Sequence, residues 1–226
     1  MWKTIRSLFH KDDLYTQALH ESYTMLDMDL EMFEASVEAL RRSPDSDVPI
    51  DIYEMDKQIN AYEREVRRKV MTHLTISGPA DLSAGLVLVS VVIDIERIGD
   101  YAKNIYTLAK SHPARLHGGS LEDEIAGIEE RVAATFRGMV NAFKAHDVEE
   151  SRRLMTDYKD SLSGDCEDIV HRIVSGSVGD LTPADAAAIV LYVRHLKRIA
   201  AHSRNILTSV VNPFHRIGYR EQSKRK

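Results

Sequence analysis

Residues 82–110 read LSAGLVLVSVVIDIERIGDYAKNIYTLAK, and how this stretch folds decides the rest. The β-branched run VLVSVVI suits a strand on propensity alone. The apolar residues, however, keep recurring at steps of three and four through Ile105 and Leu108, beyond the length of an ordinary strand, so the stretch reads as one long helix. Leu86, Val89 and Ile93 form one stripe, and Leu88, Val92 and Ile95 form another. Gly99 and Ala102 continue the second stripe as small residues, where a neighbouring helix can approach closely. A helix apolar on two sides is expected to have neighbours on two sides. Just before it, GPAD at 78–81 offers Pro79 and Asp81 for a helix start.

The same period runs outward in both directions. Upstream, Leu19, Tyr23, Leu26, Leu30, Phe33, Val37 and Leu40 share one face of a first helix that ends near Arg41–Ser43, before the linker SPDSDVP. A second helix runs from about Asp51 to Leu74 on Ile52, Met55, Ile59, Tyr62, Val66 and Val70. After the long helix, SHPARLHGGS breaks the pattern and is the best internal boundary. A fourth helix opens with Ser120 and Asp123 in cap-like spacing and buries Leu121, Ile125, Ile128, Val132, Phe136, Met139 and Phe143. Asp147 and Glu150 suggest another cap. The fifth helix carries Met155, Tyr158, Leu162, Cys166, Ile169 and Ile173. Thr182, Pro183 and Asp185 start the sixth, which carries Ile189, Val193, Leu196 and Ile199 to about Val211. The expected class is all-α. Short antiparallel connections would form three helices, a break and three more helices. The units are residues 1–112, 118–211 and a basic tail at 212–226.

Composition agrees. The 226 residues are 43% hydrophobic and 29% charged, ordinary globular values, with only 11 glycines and 6 prolines to supply turns. A single cysteine rules out an intramolecular disulfide and a Cys-rich zinc module. The start, MWKTIRSLFHKDD, lacks the continuous apolar core of a secretory signal, so the expected location is the cytoplasm. The net charge of −5 argues against coating nucleic acid. It is unevenly spread: residues 1–110 carry −6 and residues 111–226 carry +1.

The two halves are related. ERIGDYAKNI at 96–105 aligns with KRIAAHSRNI at 197–206, and GPAD at 78–81 aligns with TPAD at 182–185. A cap, a polar motif and nearly the same length between them recur together, which points to a duplication.

The chemistry lies in the first copy. Glu96 and Asp100, four residues apart, point to one side of the long helix. Two carboxylates near a packing surface repel each other and lose hydration, and a hard or borderline cation relieves both problems. Asp56 and Glu63, seven apart on the second helix, can complete a four-carboxylate metal site if the two helices are adjacent. A solvated acidic patch or an arginine–carboxylate network remains the plainer alternative. The second copy reverses the chemistry, with Lys197 for Glu96, Ala201 for Asp100 and Arg194 for Ile93. Lys197 and Arg198 could meet phosphate, or pair with Asp165, Glu167 or Asp168. His195 and His202 read as exposed or hydrogen-bonded side chains.

Catalytic readings fall away. Cys166 sits in an apolar stripe as a small buried hydrophobe. No Walker A loop, dinucleotide turn or nucleophile elbow occurs, and the expectation is no enzyme. At the termini, Trp2, Ile5, Leu8 and Phe9 alternate with Lys3, Arg6 and Lys11, and FHRIGYREQSKRK is basic. Either can touch a membrane surface or a partner.

The duplicated pattern over 12–211, with Glu96, Arg97, Gly99, Asp100, Ala102, Asn104 and Ile105, resembles the PhoU phosphate-uptake regulator family. The second copy keeps Arg198, Asn205 and Ile206, and its acidic motif is degenerate. The resemblance implies paired three-helix bundles, iron or zinc at the acidic motif, and an adaptor linking a phosphate transporter ATPase to a membrane sensor kinase. Peripheral placement at the inner face of the membrane, through the termini, is a further expectation. Homo-oligomerisation is a further expectation, and specific nucleic-acid binding is not expected. Two alternatives stay open: a metal-free helical scaffold and a metal-dependent phosphoester hydrolase.

Overall fold

The structure, a computed structural model, describes residues 13–112, 114–157 and 162–221. The readings on Trp2, Ile5, Leu8, Phe9, Lys3, Arg6, Lys11 and Tyr158 and on the last five residues lie outside these. Seven α-helices are described: α1 Leu14–Arg41, α2 Ile52–Ser77, α3 Leu82–Ser111, α4 Glu122–Ala145, α5 Val148–Asp157, α6 Ser163–Val174 and α7 Pro183–Val211. No described residue is in a strand.

Local chemistry sets most of the starts. The Asp13 carboxylate accepts from the Thr16 amide at 2.7 Å, and Asp51 does the same for Glu54 at 3.0 Å. Thr182 caps the Asp185 amide at 3.1 Å, with Pro183 at the first helical position. Asp147 accepts from the Glu149 and Glu150 amides. One cap differs from expectation. Ser120 does not cap α4; its amide and hydroxyl both donate to the Asp180 carboxylate, and Glu122 instead reaches back to the Gly118 amide. The expected fifth helix is two helices, α5 and α6, and Leu154 rather than Met155 takes the buried place on α5. Ser163 and Gly164, both poor helix formers, open α6.

Helices α1, α2 and α3 pack on one another, and α4, α5 and α6 gather on α7. The two groups join along α3 and α7, the long helices that carry the duplicated motif. Asp94 meets His202 and Asn205 while Tyr101 meets His195 and His202, so α3 and α7 run antiparallel. A second joint lies between α1 and α4. Phe33 packs against Phe136 there, and the buried Arg41 guanidinium donates to Glu122, Glu129 and the Leu116 carbonyl. Burial weakens the Arg41 cation, but the Glu129 and Glu122 carboxylates outweigh that and raise its pKa.

On α3 the stripe of Leu88, Val92 and Ile95 is fully buried. The other stripe is only partly covered: Leu86 and Ile93 are 36% and 41% exposed, while Val89 between them is half-buried against the core. The α7 helix crosses α3 on another side. Apolar sequence within Ile52–Ser111 is long enough to cross a membrane by length and composition. Packing within the structure buries 33% of that window.

Candidate functional site

The face of α3 turned toward α1 and α2 carries the acidic motif. Glu96 is 8% exposed, and Asp100 lies one turn on, half-buried. From α2 come Asp56 and, two turns along, Glu63. The four carboxylates face a common region: the charges of Asp100, Glu63 and Asp56 all act on Glu96. Desolvation and those neighbours hold the Glu96 carboxyl above its ordinary pKa, while Arg97 pulls the other way.

Two cations are woven through the cluster. Arg97 donates to Asp100 Oδ2 at 2.8 Å and lies 3.4 Å from Glu96 Oε2. Lys103 donates to Asp56 Oδ1 at 2.8 Å and to Asp100 Oδ1 at 2.9 Å, so one ammonium bridges α2 and α3. Burial disfavours that ammonium, yet the two carboxylates more than offset the cost and raise its pKa. Glu63 is largely buried and pairs with Arg67 at 2.6 Å.

The sequence reading missed a fifth carboxylate. Asp29 of α1 is fully buried, and neither of its oxygens has a hydrogen-bond partner. Burial, then the charges of Glu96, Asp56 and Asp100, push its pKa well above the ordinary carboxylate range. It sits against Gly99: a Cβ there would lie 2.5 Å from Asp29 Oδ1. This close approach is what the glycine of the motif permits. In α1 Asp29 shares a stripe with Met25 and Met32, four before and three after it and both fully buried, a spacing that places the acid on an apolar face without saying what lies opposite.

A buried carboxylate with both oxygens unpartnered, beside three more, is an all-oxygen donor set of the kind that suits a hard or borderline divalent cation. The side chains do not close on a single point. Among the described residues no three His, Cys, Asp or Glu groups stand ready to hold a metal ion.

The corresponding region of α7 has no such cluster. Lys197 pairs with Glu167 of α6, and Ala201 is apolar. Asp165 pairs with Arg131, and Asp168 with Arg172. His202 Nδ1 donates to Asp94 at 2.6 Å, while its Nε2 accepts from Arg198 at 3.1 Å, which sets the tautomer. Arg198 also donates to the Tyr101 hydroxyl and lies over the Tyr101 ring. Burial and Arg194 lower the pKa of His195, which packs on Tyr101. Cys166 is buried, and burial pushes its thiol up to about 11, the state of an inert core residue.

A family model described as "PhoU domain" matches residues 23–109, the span that holds all five carboxylates. The chain is 26% identical over 170 residues to a phosphate-specific transport system accessory protein PhoU homolog of Pseudomonas putida. That alignment covers 74% of this chain and 66% of the relative. It is 26% identical over 175 residues to the protein of the same description from Synechocystis sp., covering 73% of each. Among solved structures, PhoU from Pseudomonas aeruginosa superposes with a TM-score of 0.75 at 22% identity, covering 89% of this chain and 97% of that one. The phosphate transport system regulatory protein PhoU from Streptococcus pneumoniae gives 0.72 at 16% identity, covering 86% and 91%. These two likenesses concern the fold.

Proposed function

We propose that the chain is a PhoU-family protein and, on that footing, a regulatory accessory protein of phosphate transport. In this reading it acts in the cytoplasm, in peripheral contact with the membrane, as an adaptor that binds a transporter ATPase component or a sensor kinase. The observation that carries the role is the PhoU domain across 23–109 together with relatives named as accessory proteins of a phosphate-specific transport system. The reading is regulatory rather than enzymatic. The inert state of Cys166 and the use of His202 as a joint between α3 and α7 accord with it.

The finer part of the proposal is a metal. Asp29, Asp56, Glu96 and Asp100 would hold an iron or zinc ion, with Glu63 at the edge of the site. When bound, the ion supplies positive charge that neutralises carboxylates that otherwise repel one another. Asp29 comes from α1, Asp56 from α2, and Glu96 and Asp100 from α3. Carboxylates held in this way would tie three helices together at one point. A regulatory signal reaching the ion would therefore act on the packing of the whole first bundle.

The partner is tested by affinity capture of the membrane-associated complex at high and low phosphate. Enrichment of a phosphate transporter ATPase is expected. Reproducible absence in both conditions would overturn the adaptor role. The metal is tested by metal analysis after gentle purification of the wild type and of a Glu96→Ala, Asp100→Ala double variant. Equal metal in both would reject the site.

A further inference from the structure

The carboxylate cluster already contains a cation, and it belongs to the chain. Lys103 Nζ lies 2.8 Å from Asp56 Oδ1 and 2.9 Å from Asp100 Oδ1. A cation bridging α2 to α3 through those two oxygens would occupy the same place. We infer that Lys103 is a tethered competitor for the metal: its ammonium holds the site in the metal-free protein and must withdraw for a divalent ion to bind Asp56 and Asp100. This inference rests on the metal reading above and goes beyond it by naming the residue that sets affinity.

Three observations carry it. First, each oxygen of Asp100 already carries a cation, Oδ2 Arg97 and Oδ1 Lys103, so a divalent ion at this carboxylate meets a like charge a few ångströms away on either side. Second, Lys103 rather than Arg97 stands between the helices: its ammonium, a point charge on a flexible four-carbon stem, bridges Asp56 of α2 and Asp100 of α3, whereas Arg97 contacts Glu96 and Asp100 of its own helix. Third, the tethered cation leaves the deepest ligand unserved. Asp29 is fully buried beside the cluster, and both its oxygens lack a hydrogen-bond partner. An ion free of the Lys103 backbone can approach Asp29, and it brings two positive charges where the ammonium brings one. Lys103 is partly exposed and has solvent to withdraw into, where its charge is rehydrated. Exchange of one cation for the other keeps a positive charge between Asp56 and Asp100 in both states, which an acidic cluster without a lysine cannot do.

The test uses the full chain stripped with chelator and titrated with zinc by calorimetry, as wild type, Lys103→Met, Lys103→Arg and Asp100→Ala. Lys103→Met is expected to bind zinc at least about tenfold more tightly than wild type, Lys103→Arg no more tightly than wild type, and Asp100→Ala at least about tenfold more weakly. Acetic anhydride labelling of the wild type, read by mass spectrometry, needs no variant. Lys103 should be protected without zinc and become several-fold more reactive with it, while Lys197, paired outside the cluster, stays unchanged. Zinc affinity that is equal in wild type and Lys103→Met but lost in Asp100→Ala would overturn the competition and leave the metal site standing. Zinc bound by neither wild type nor Lys103→Met would overturn both. Should Lys103→Met fail to fold, the labelling decides: unchanged Lys103 reactivity on saturation with zinc rejects the inference.

Discussion

The two halves share a helical plan and the ends of one motif, yet only the first concentrates carboxylates. In α3 the sequence Glu96-Arg97-Ile98-Gly99-Asp100 presents two acids and leaves room between them for the buried Asp29 of α1. In α7 the aligned residues are Lys197, Ala200 and Ala201. Removing the acids alone would empty the site; replacing the glycine as well puts a methyl group where the first half admits a neighbouring carboxylate. The second half keeps Arg198 and Asn205 for another use, joining α7 to α3 through Tyr101 and Asp94. The lesson is that a duplicated helix pair can spend one copy of a motif on a charged cluster and the other on the interface.

The contrast should be greatest in metal content. Glu96→Ala with Asp100→Ala is expected to abolish metal binding measured by elemental analysis, whereas Lys197→Ala should leave it unchanged. Installing Lys197→Glu with Ala201→Asp should not create a second site, because Ala200 remains and the acid paired there, Glu167, is exposed where Asp29 is buried. Metal bound by that graft would erase the distinction between the two halves.

Packing gives the next largest effect. Gly99→Ala should destabilise the protein by about 1–3 kcal/mol, because the new methyl meets Asp29 and Ile59 in a filled core. In an Asp29→Ala background the same change should approach neutrality or stabilise by up to about 1 kcal/mol, the ordinary helix preference for alanine. Ala200→Gly in the other half should cost about 1 kcal/mol by that same preference, together with the loss of a buried methyl. Thermal melts of the five proteins, including wild type, complete the cycle.

The charge of Asp29 should appear as a pH dependence. Its folded pKa is raised, so its contribution to stability is present below the unfolded value of about 3.9 and is lost as pH rises through the folded value. Glu96 acts with the same sign. Denaturant melts in chelator should therefore find Asp29→Asn close to wild type at pH 4 and increasingly more stable than wild type above it, by about 1–3 kcal/mol at pH 8. A constant difference across that range would mean that Asp29 does not titrate between these limits. The smallest effect on stability is expected on the outer stripe of α3. Leu86→Ser with Ile93→Ser should change stability by no more than about 0.5 kcal/mol per site. A fall in transporter capture by that variant would place the partner contact on this face.

The all-helical class, the start of α7 at Thr182, the Asp147 cap and the core stripe of α4 were legible because each depends on neighbours within a few residues in the chain. Periodicity also put Glu96 and Asp100 on one side of α3, and Asp56 and Glu63 on the matching side of α2. It could not supply Asp29, since the fate of a lone acid between Met25 and Met32 depends on what α3 places opposite it, and that is a glycine 70 residues away. Nor could it show that Lys103 turns back onto Asp56 and Asp100, or that Leu86 and Ile93 stay exposed while the neighbouring stripe is buried. Helix period assigns residues to faces. Which face meets a partner, and whether a charge there finds another charge, is decided only when helices distant in sequence pack together, because desolvation and Coulomb energy depend on distances through space.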